Sequence, residues 1–396
     1  MPTTGHRADV SPQRVRHVLM TADAVGGVWP YTMDLGSGLR ARGLGITVAV
    51  MGPPPSDAQR SDAERRGIAV LDRPYRLEWM HDPWEDVACA SEWLLAVART
   101  LRPDLVHLNG YCHAALPWRT PVVVVAHSCV RSWWRGVHGV EAPASWDRYR
   151  EEVTRGLRAA TIVVAPTRAM LDGLVAEYGF DGASRVIPNG REPLESAVTT
   201  PAKEHIVFAA GRLWDEAKNI EALCAVAPEV SWPVYVAGQD REPEGKAVFF
   251  EHVHRLGRLD SSELAQWYAR AAIYALPARY EPFGLSVLEA ARAGCALVLG
   301  DIASLRENWS GAAVFVPPDD RRALASSLRT LIDDRSGRER LAAAARERAA
   351  RFTVSSMAEQ YLQVYAEAAS RAEHNAANVV QEDRGRPSYH RAFVSP

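Results

Sequence analysis

Short apolar runs alternate with longer amphipathic stretches along most of the chain, the pattern of strands and helices taken in turn. Strand-like runs fall at 15–20, 46–50, 105–108, 121–126, 161–165 and 185–187. Helical stretches lie between them, one ending at Arg42 and others over 86–101, 148–160 and 168–178. The run at 121–126 is dense in valine, as expected of a parallel strand buried on both faces. A second series opens at His205, with strands at 206–209, 234–237, 273–276, 296–299 and 313–316. Its helices cover 261–270 and 321–332, followed by an alanine- and arginine-rich helix ending near Arg351. Asp319 is placed to cap the helix from Arg321. A last helix over 355–369 carries Met357, Tyr361, Val364 and Tyr365 on one side. Such alternation implies an α/β fold with doubly wound parallel sheets, and 396 residues suffice for two cores. The expected division is a disordered lead-in (1–13), a first domain (14–190), a linker (191–204), a second domain (205–352), a final helix (353–372) and a disordered tail (373–396).

The chemistry concentrates between Ala278 and Gly300. Glu281 and Pro282 are expected to open a helix, since proline needs no N–H partner in a first turn. Leu285, Leu288 and Glu289 follow on a helical period, and Gly294 ends it. Glu281 then lies beside free backbone N–H groups that favour an anion, and Gly284 lets a ligand approach the backbone. A polar mouth between two carboxylates suits a sugar joined to a phosphate, though an ordinary capped helix would look the same. Three other places invite a ligand. Gly26 and Gly27 follow the first strand, where they are either a tight turn or a phosphate contact. His127 stands at the C-terminal end of the valine strand, where open α/β sheets bind ligands. Gly211, Arg212 and Lys218 follow the strand at 206–209, two cations suited to phosphate. By contrast, the G-x-G-x-x-A at 36–41 lies late in a helix rather than between a strand and a helix start. It reads as helix packing, which disfavours a dehydrogenase.

Glu281 and Glu289, with seven residues between them, and the adjoining Phe283-Gly284-Leu285 resemble the E-x7-E signature of retaining glycosyltransferases of GT-B fold, family 4. The resemblance spans about 15–370 and implies two facing Rossmann-like domains with a cleft between them. It also implies a final helix that returns to the first domain. In such a site Glu281 and His127 hold the donor sugar, and Glu289 the ribose. Gly26 and Gly27 touch the donor phosphate or the acceptor. Arg212 and Lys218 face the diphosphate, while backbone around Arg255 and Leu256 cradles the base. The implied donor is a nucleotide-diphosphate sugar, a UDP-sugar first and GDP-mannose next. The acceptor is a sugar or a lipid-linked sugar.

Composition narrows the partners. A net charge of −2 gives no electrostatic footprint for nucleic acid. Five scattered cysteines suit buried thiols in a reducing cytoplasm better than disulfides or zinc. No stretch resembles a signal peptide or reaches the length of a membrane helix. Trp133-Trp134, flanked by Arg131 and Arg135, could form an acceptor lip, a peripheral membrane contact at the inner face, or plain packing. No Asp-x-Asp pair occurs in the chain, and His252 and His254 lack a third ligand, so no metal or other cofactor is expected. An epimerase of the same fold and a silent nucleotide-sugar-binding protein are the alternatives. Incubating donor alone separates the epimerase, and intact Arg212, Lys218, Glu281 and Glu289 argue against silence.

Overall fold

The computed structural model describes residues 15–192, 202–241, 245 and 248–384. Seven strands build a first sheet: β1 (His17–Asp23), β2 (Gly45–Met51), β3 (Ala69–Arg73), β4 (Leu105–Leu108), β5 (Val122–Val125), β6 (Ile162–Ala165) and β7 (Ser184–Val186). Their order is β3-β2-β1-β4-β5-β6-β7. Six more build a second sheet: β8 (Glu204–Ala210), β9 (Val234–Ala237), β10 (His254–Arg255), β11 (Ala271–Leu276), β12 (Ala296–Gly300) and β13 (Val314–Val316). Their order is β10-β9-β8-β11-β12-β13. Both sheets are parallel throughout. Crossover helices cover both faces, which is why the strand interiors are almost uniformly apolar. Chain direction across each sheet reverses once, between β1 and β4 and between β8 and β11. Crevices open at the strand C-termini there, the usual ligand position in such folds.

The last helix, Val354–Arg384, follows the second sheet but packs on the first helix, Val28–Arg40. Met357, Tyr361 and Tyr365 are buried in the first domain's core. Each side chain buried this way contributes about 1.5–3 kcal/mol, so the helix ties the domains together. The misplaced glycine pair explains itself here. A Cβ on Gly38 would lie 2.8 Å from Val354 and 2.9 Å from Ala358. One on Gly36 would lie 2.9 Å from Ile68. Gly38 thus lets the final helix approach closely, and Gly36 lets its own helix pack against Ile68 and Ile46 at the sheet.

Several elements differ from expectation. Edge strand β3 and the helix Val130–His138 were not foreseen, the first short and half-exposed, the second hidden among tryptophans. Asp320, not Asp319, caps the helix Arg321–Asp333 by accepting from the Ala323 amide. The final helix runs to Arg384, beyond the expected end at 372, so the supposed tail begins as helix. The lead-in 1–13, most of the linker (193–201) and 385–396 lie outside the described residues. Four cysteines are buried as expected, while Cys89 is exposed.

Candidate functional site

The loop after β8 carries the cations. Asn219, held at φ +55°, donates to the carbonyls of Pro277 and Pro318, both at 2.8 Å. This fixes the loop against the segment after β11. Gly238 adds to that fit, because a Cβ there would lie 1.7 Å from the Gly211 carbonyl oxygen. Arg212 donates through Nη2 to Asp215 at 2.6 Å, and its buried Nε has no partner among the described residues. Lys218 donates through Nζ to Glu281. Glu281 in turn accepts from the Gly284 amide at 2.9 Å. The expected helix start therefore moves. The helix is Leu285–Arg292, opened by Gly284 at φ +89°. Glu281 and Pro282 belong to the preceding turn, and the carboxylate folds back onto the amides it was expected to lie beside.

Across the cleft, Gly26 has φ +72°. A Cβ on it would sit 3.3 Å from Arg212 Nη1, and one on Gly27 3.4 Å from Leu285. Gly26 thus faces Arg212, and Gly27 the start of the helix Leu285–Arg292, on the opposite domain. Asp23, at the end of β1, is raised to about 6 by burial, against the pull of the Val25 amide and Arg212. Asp215 is a hub that sequence reasoning missed. Burial pushes it up, but Arg212 and Lys218 outweigh this and hold it below the usual carboxylate range. It also accepts from the Trp133 indole at 3.0 Å, joining the two domains. That bond accounts for Trp133 as a cleft residue; neither it nor Trp134 is exposed.

His127 follows β5, and its Nε2 lies 2.9 Å from Asn109 Oδ1. Asn109 donates through Nδ2 to the Thr21 carbonyl at 2.6 Å and to Thr32 Oγ1 at 3.1 Å. With its nitrogen so occupied, Oδ1 can only accept. His127 must then carry its proton on Nε2. The same oxygen lies 3.2 Å from His107 Nε2, whose Nδ1 is left to accept from the Tyr365 hydroxyl at 2.7 Å. A chain of bonds therefore runs from the final helix to His127. Burial, then His107, lowers His127 to about 3, and burial lowers His107 to about 4. Both rings are neutral at pH 7. No described group bonds His127 Nδ1, which remains an acceptor.

Glu289 accepts from Arg191 Nε at 2.7 Å, and Arg191 donates through Nη1 to Asp34 at 2.8 Å. Neither Arg191 nor Asp34 was singled out from sequence, because the pairing joins residues 98 and 157 positions apart. Phe283, whose place in the matched motif implies a position among the donor-binding residues, has its side chain buried, with ring centroids 5.5 Å from Phe352. Arg255 and Leu256 lie by β10, at the outer edge of the second sheet. Arg255 is exposed, 3.8 Å from Asp240, and Leu256 donates from its backbone to Val236. Among the described residues, neither bonds to the Arg212–Glu281 cluster. Among the described residues, no three His, Cys, Asp or Glu side chains are grouped to hold a metal. No helix there is long and apolar enough to cross a membrane.

Two family descriptions match the chain, Glycosyltransferase Family 4 over 25–193 and Glycosyl transferases group 1 over 204–334. Glycogen synthase of Mycobacterium tuberculosis is 27% identical, covering 82% of this chain and 86% of that protein. D-inositol 3-phosphate glycosyltransferase of Xylanimonas cellulosilytica is 28% identical, covering 89% and 94%. Among solved structures, sucrose-phosphate synthase from Thermosynechococcus elongatus superposes with TM-score 0.75 at 20% identity, over 88% of this chain and 98% of that one. Anabaena HepE, solved with UDP and glucose, gives 0.69 at 18% identity, over 89% and 99%.

Proposed function

The chain belongs to the family 4, group 1 glycosyltransferases of GT-B fold, and from that membership we propose that it transfers a hexosyl group with retention. The donor is a nucleotide-diphosphate sugar, a UDP-sugar before GDP-mannose. The acceptor is a glycan, a glycolipid or a small hydroxylated molecule in bacterial polysaccharide or glycoconjugate synthesis. The observation that carries this reading is the pair of cations fixed on one domain, Arg212 by Asp215 and Lys218 by Glu281, with Arg212 facing Gly26 of the other.

The bond from the anomeric carbon to the diphosphate breaks, and the acceptor oxygen bonds that carbon on the same face. The acceptor's proton passes to the leaving phosphate, so no side-chain nucleophile is needed. Arg212 and Lys218 offset the charge that grows on the diphosphate, and being already held by Asp215 and Glu281 they need little reorganisation. His127 offers Nδ1 to a donor-sugar hydroxyl, Glu281 orients the same sugar, and Glu289 takes the ribose. No divalent metal takes part, since the cations supply that charge. The work is done in the cytoplasm.

A thermal-shift screen of UDP-, GDP- and ADP-sugars tests the reading. A ligand at one hundred times its dissociation constant adds about 2.7 kcal/mol of stability, so one nucleotide series should raise the melting temperature clearly. Product anomer analysis by NMR then tests retention. Absence of stabilisation by every series would sink the proposal.

A further inference from the structure

A second concave site lies at the opposite end of the first sheet from the cleft. It is a recess of about 730 Å³ between the loop entering β5, the turn entering β6 and the final helix. His127 leaves β5 at its C-terminal end, whereas this recess lies at the N-terminal ends of β5 and β6. Arg119, Arg158, Arg371 and His374 line it, and no Asp or Glu does. In a chain of net charge −2, that is a local excess of three permanent cations.

Their bonding sharpens the point. Arg371 is paired, its Nε donating to Glu367 at 2.9 Å. Arg119 and Arg158 are exposed, and among the described residues neither has an ion pair, a hydrogen bond or an aromatic ring to stack on. Arg158 sits in the last turn of its helix, Asp147–Ala159, where a cation also suits the carbonyl end. Arg119 has no such role on its loop. Guanidinium groups present planar forks of donors that match phosphate oxygens. Thr120 and Ser370 add hydroxyls at the rim, and Trp118 adds an apolar wall with its N–H already donated to the His113 carbonyl at 2.8 Å.

We propose that this recess binds a phosphate group, carried by a small hydroxylated molecule or by a lipid headgroup, independently of the donor cleft. Its recessed shape admits a molecule of sugar-phosphate size. The final helix lines it with Ser370, Arg371 and His374, and the same helix bonds His107 through Tyr365.

The donor cleft also holds cations, so the test needs a local reporter. The Trp118 indole N–H signal is assigned by comparing nitrogen–proton NMR spectra of the full chain with those of Trp118→Phe. Inorganic phosphate and glucose 6-phosphate are titrated in turn. Vesicles of phosphatidylcholine with and without phosphatidylglycerol are tested by co-sedimentation. A saturable shift of the Trp118 signal, weakened about tenfold or more in Arg119→Ala/Arg158→Ala as expected for lost charged hydrogen bonds, supports a soluble ligand. Sedimentation with phosphatidylglycerol vesicles alone, abolished by the same substitutions, supports the headgroup. Either kind of binding surviving both substitutions, or no binding of any probe, overturns the site. Both substitutions are on the surface, and an unchanged melting temperature confirms that the variant is folded.

Discussion

Asn109→Asp offers the sharpest test of how His127 is set. In the native protein the amide oxygen accepts the His127 Nε2 proton at 2.9 Å, and burial with His107 keeps the ring near 3. Asp keeps the acceptor but adds a negative charge. With charge centres about 4 Å apart and an effective dielectric of about 20, the attraction to an imidazolium is about 4 kcal/mol. At about 1.4 kcal/mol per pH unit, the ring rises from about 3 to about 6. The substitution also sets an oxygen against the Thr21 carbonyl, now 2.6 Å from Nδ2, which costs about 1–3 kcal/mol of stability. The assay is nitrogen NMR of the His127 ring against pH, which needs no substrate. Native His127 should show a protonated Nε2, a bare Nδ1 and no titration down to pH 5. Asn109→Asp should titrate near pH 6, and donor turnover should lose activity over the same range as Nδ1 ceases to accept. A native ring protonated on Nδ1, or an Asp variant that stays neutral at pH 5, would refute the reasoning.

Further expectations follow from the same contacts. Arg191→Ala strands Glu289 against a half-vacated pocket and should cost about 3 kcal/mol, the usual loss on breaking a buried pair, read as a lower denaturation midpoint. Glu289→Ala should cost less stability, because Arg191 keeps Asp34, yet weaken donor binding by roughly 1.5–3 kcal/mol in calorimetry; unchanged donor affinity would remove it from the ribose position. Arg212→Ala and Lys218→Ala should each lower turnover more than donor affinity, since the charge they meet grows as the bond breaks, and native transfer should persist in excess EDTA. Wild-type rates in either variant, or complete loss with EDTA and recovery with magnesium, would contradict the proposed site. His107, His113 and His127 fold with values of about 4, about 4 and about 3, below the unfolded 6.5. Their stability is thus fully present above pH 6.5 and falls as the unfolded chain gains protons, by up to about 1.4 kcal/mol per pH unit for each ring. Asp23 and Glu78, raised by burial, oppose part of that. A melting temperature that did not fall from pH 7 to pH 5 would count against three buried neutral rings.

Local physics made much of this protein legible from its residues. Apolar runs at a strand's period, bounded by turns, placed β1, β4, β5, β8 and β11, because burial on both faces requires uninterrupted valine, isoleucine and leucine. The helices Arg168–Tyr178 and Ser261–Arg270 begin and end where their caps stand in the sequence. Edge strand β3 escaped because one exposed face leaves an alternating, half-polar pattern with little periodic signal. Motif residues were legible as chemistry but not always as geometry. Phe283 stands in the donor motif, and only the tertiary structure shows that its ring is buried beside Phe352. Asp215, Asn109 and Arg191 carry no local signal at all. Their roles arise when Trp133, His127, Asp34 and Glu289 arrive from distant segments to meet them. A buried polar group must find its partner wherever the fold supplies one, and a sequence records the group without recording the partner.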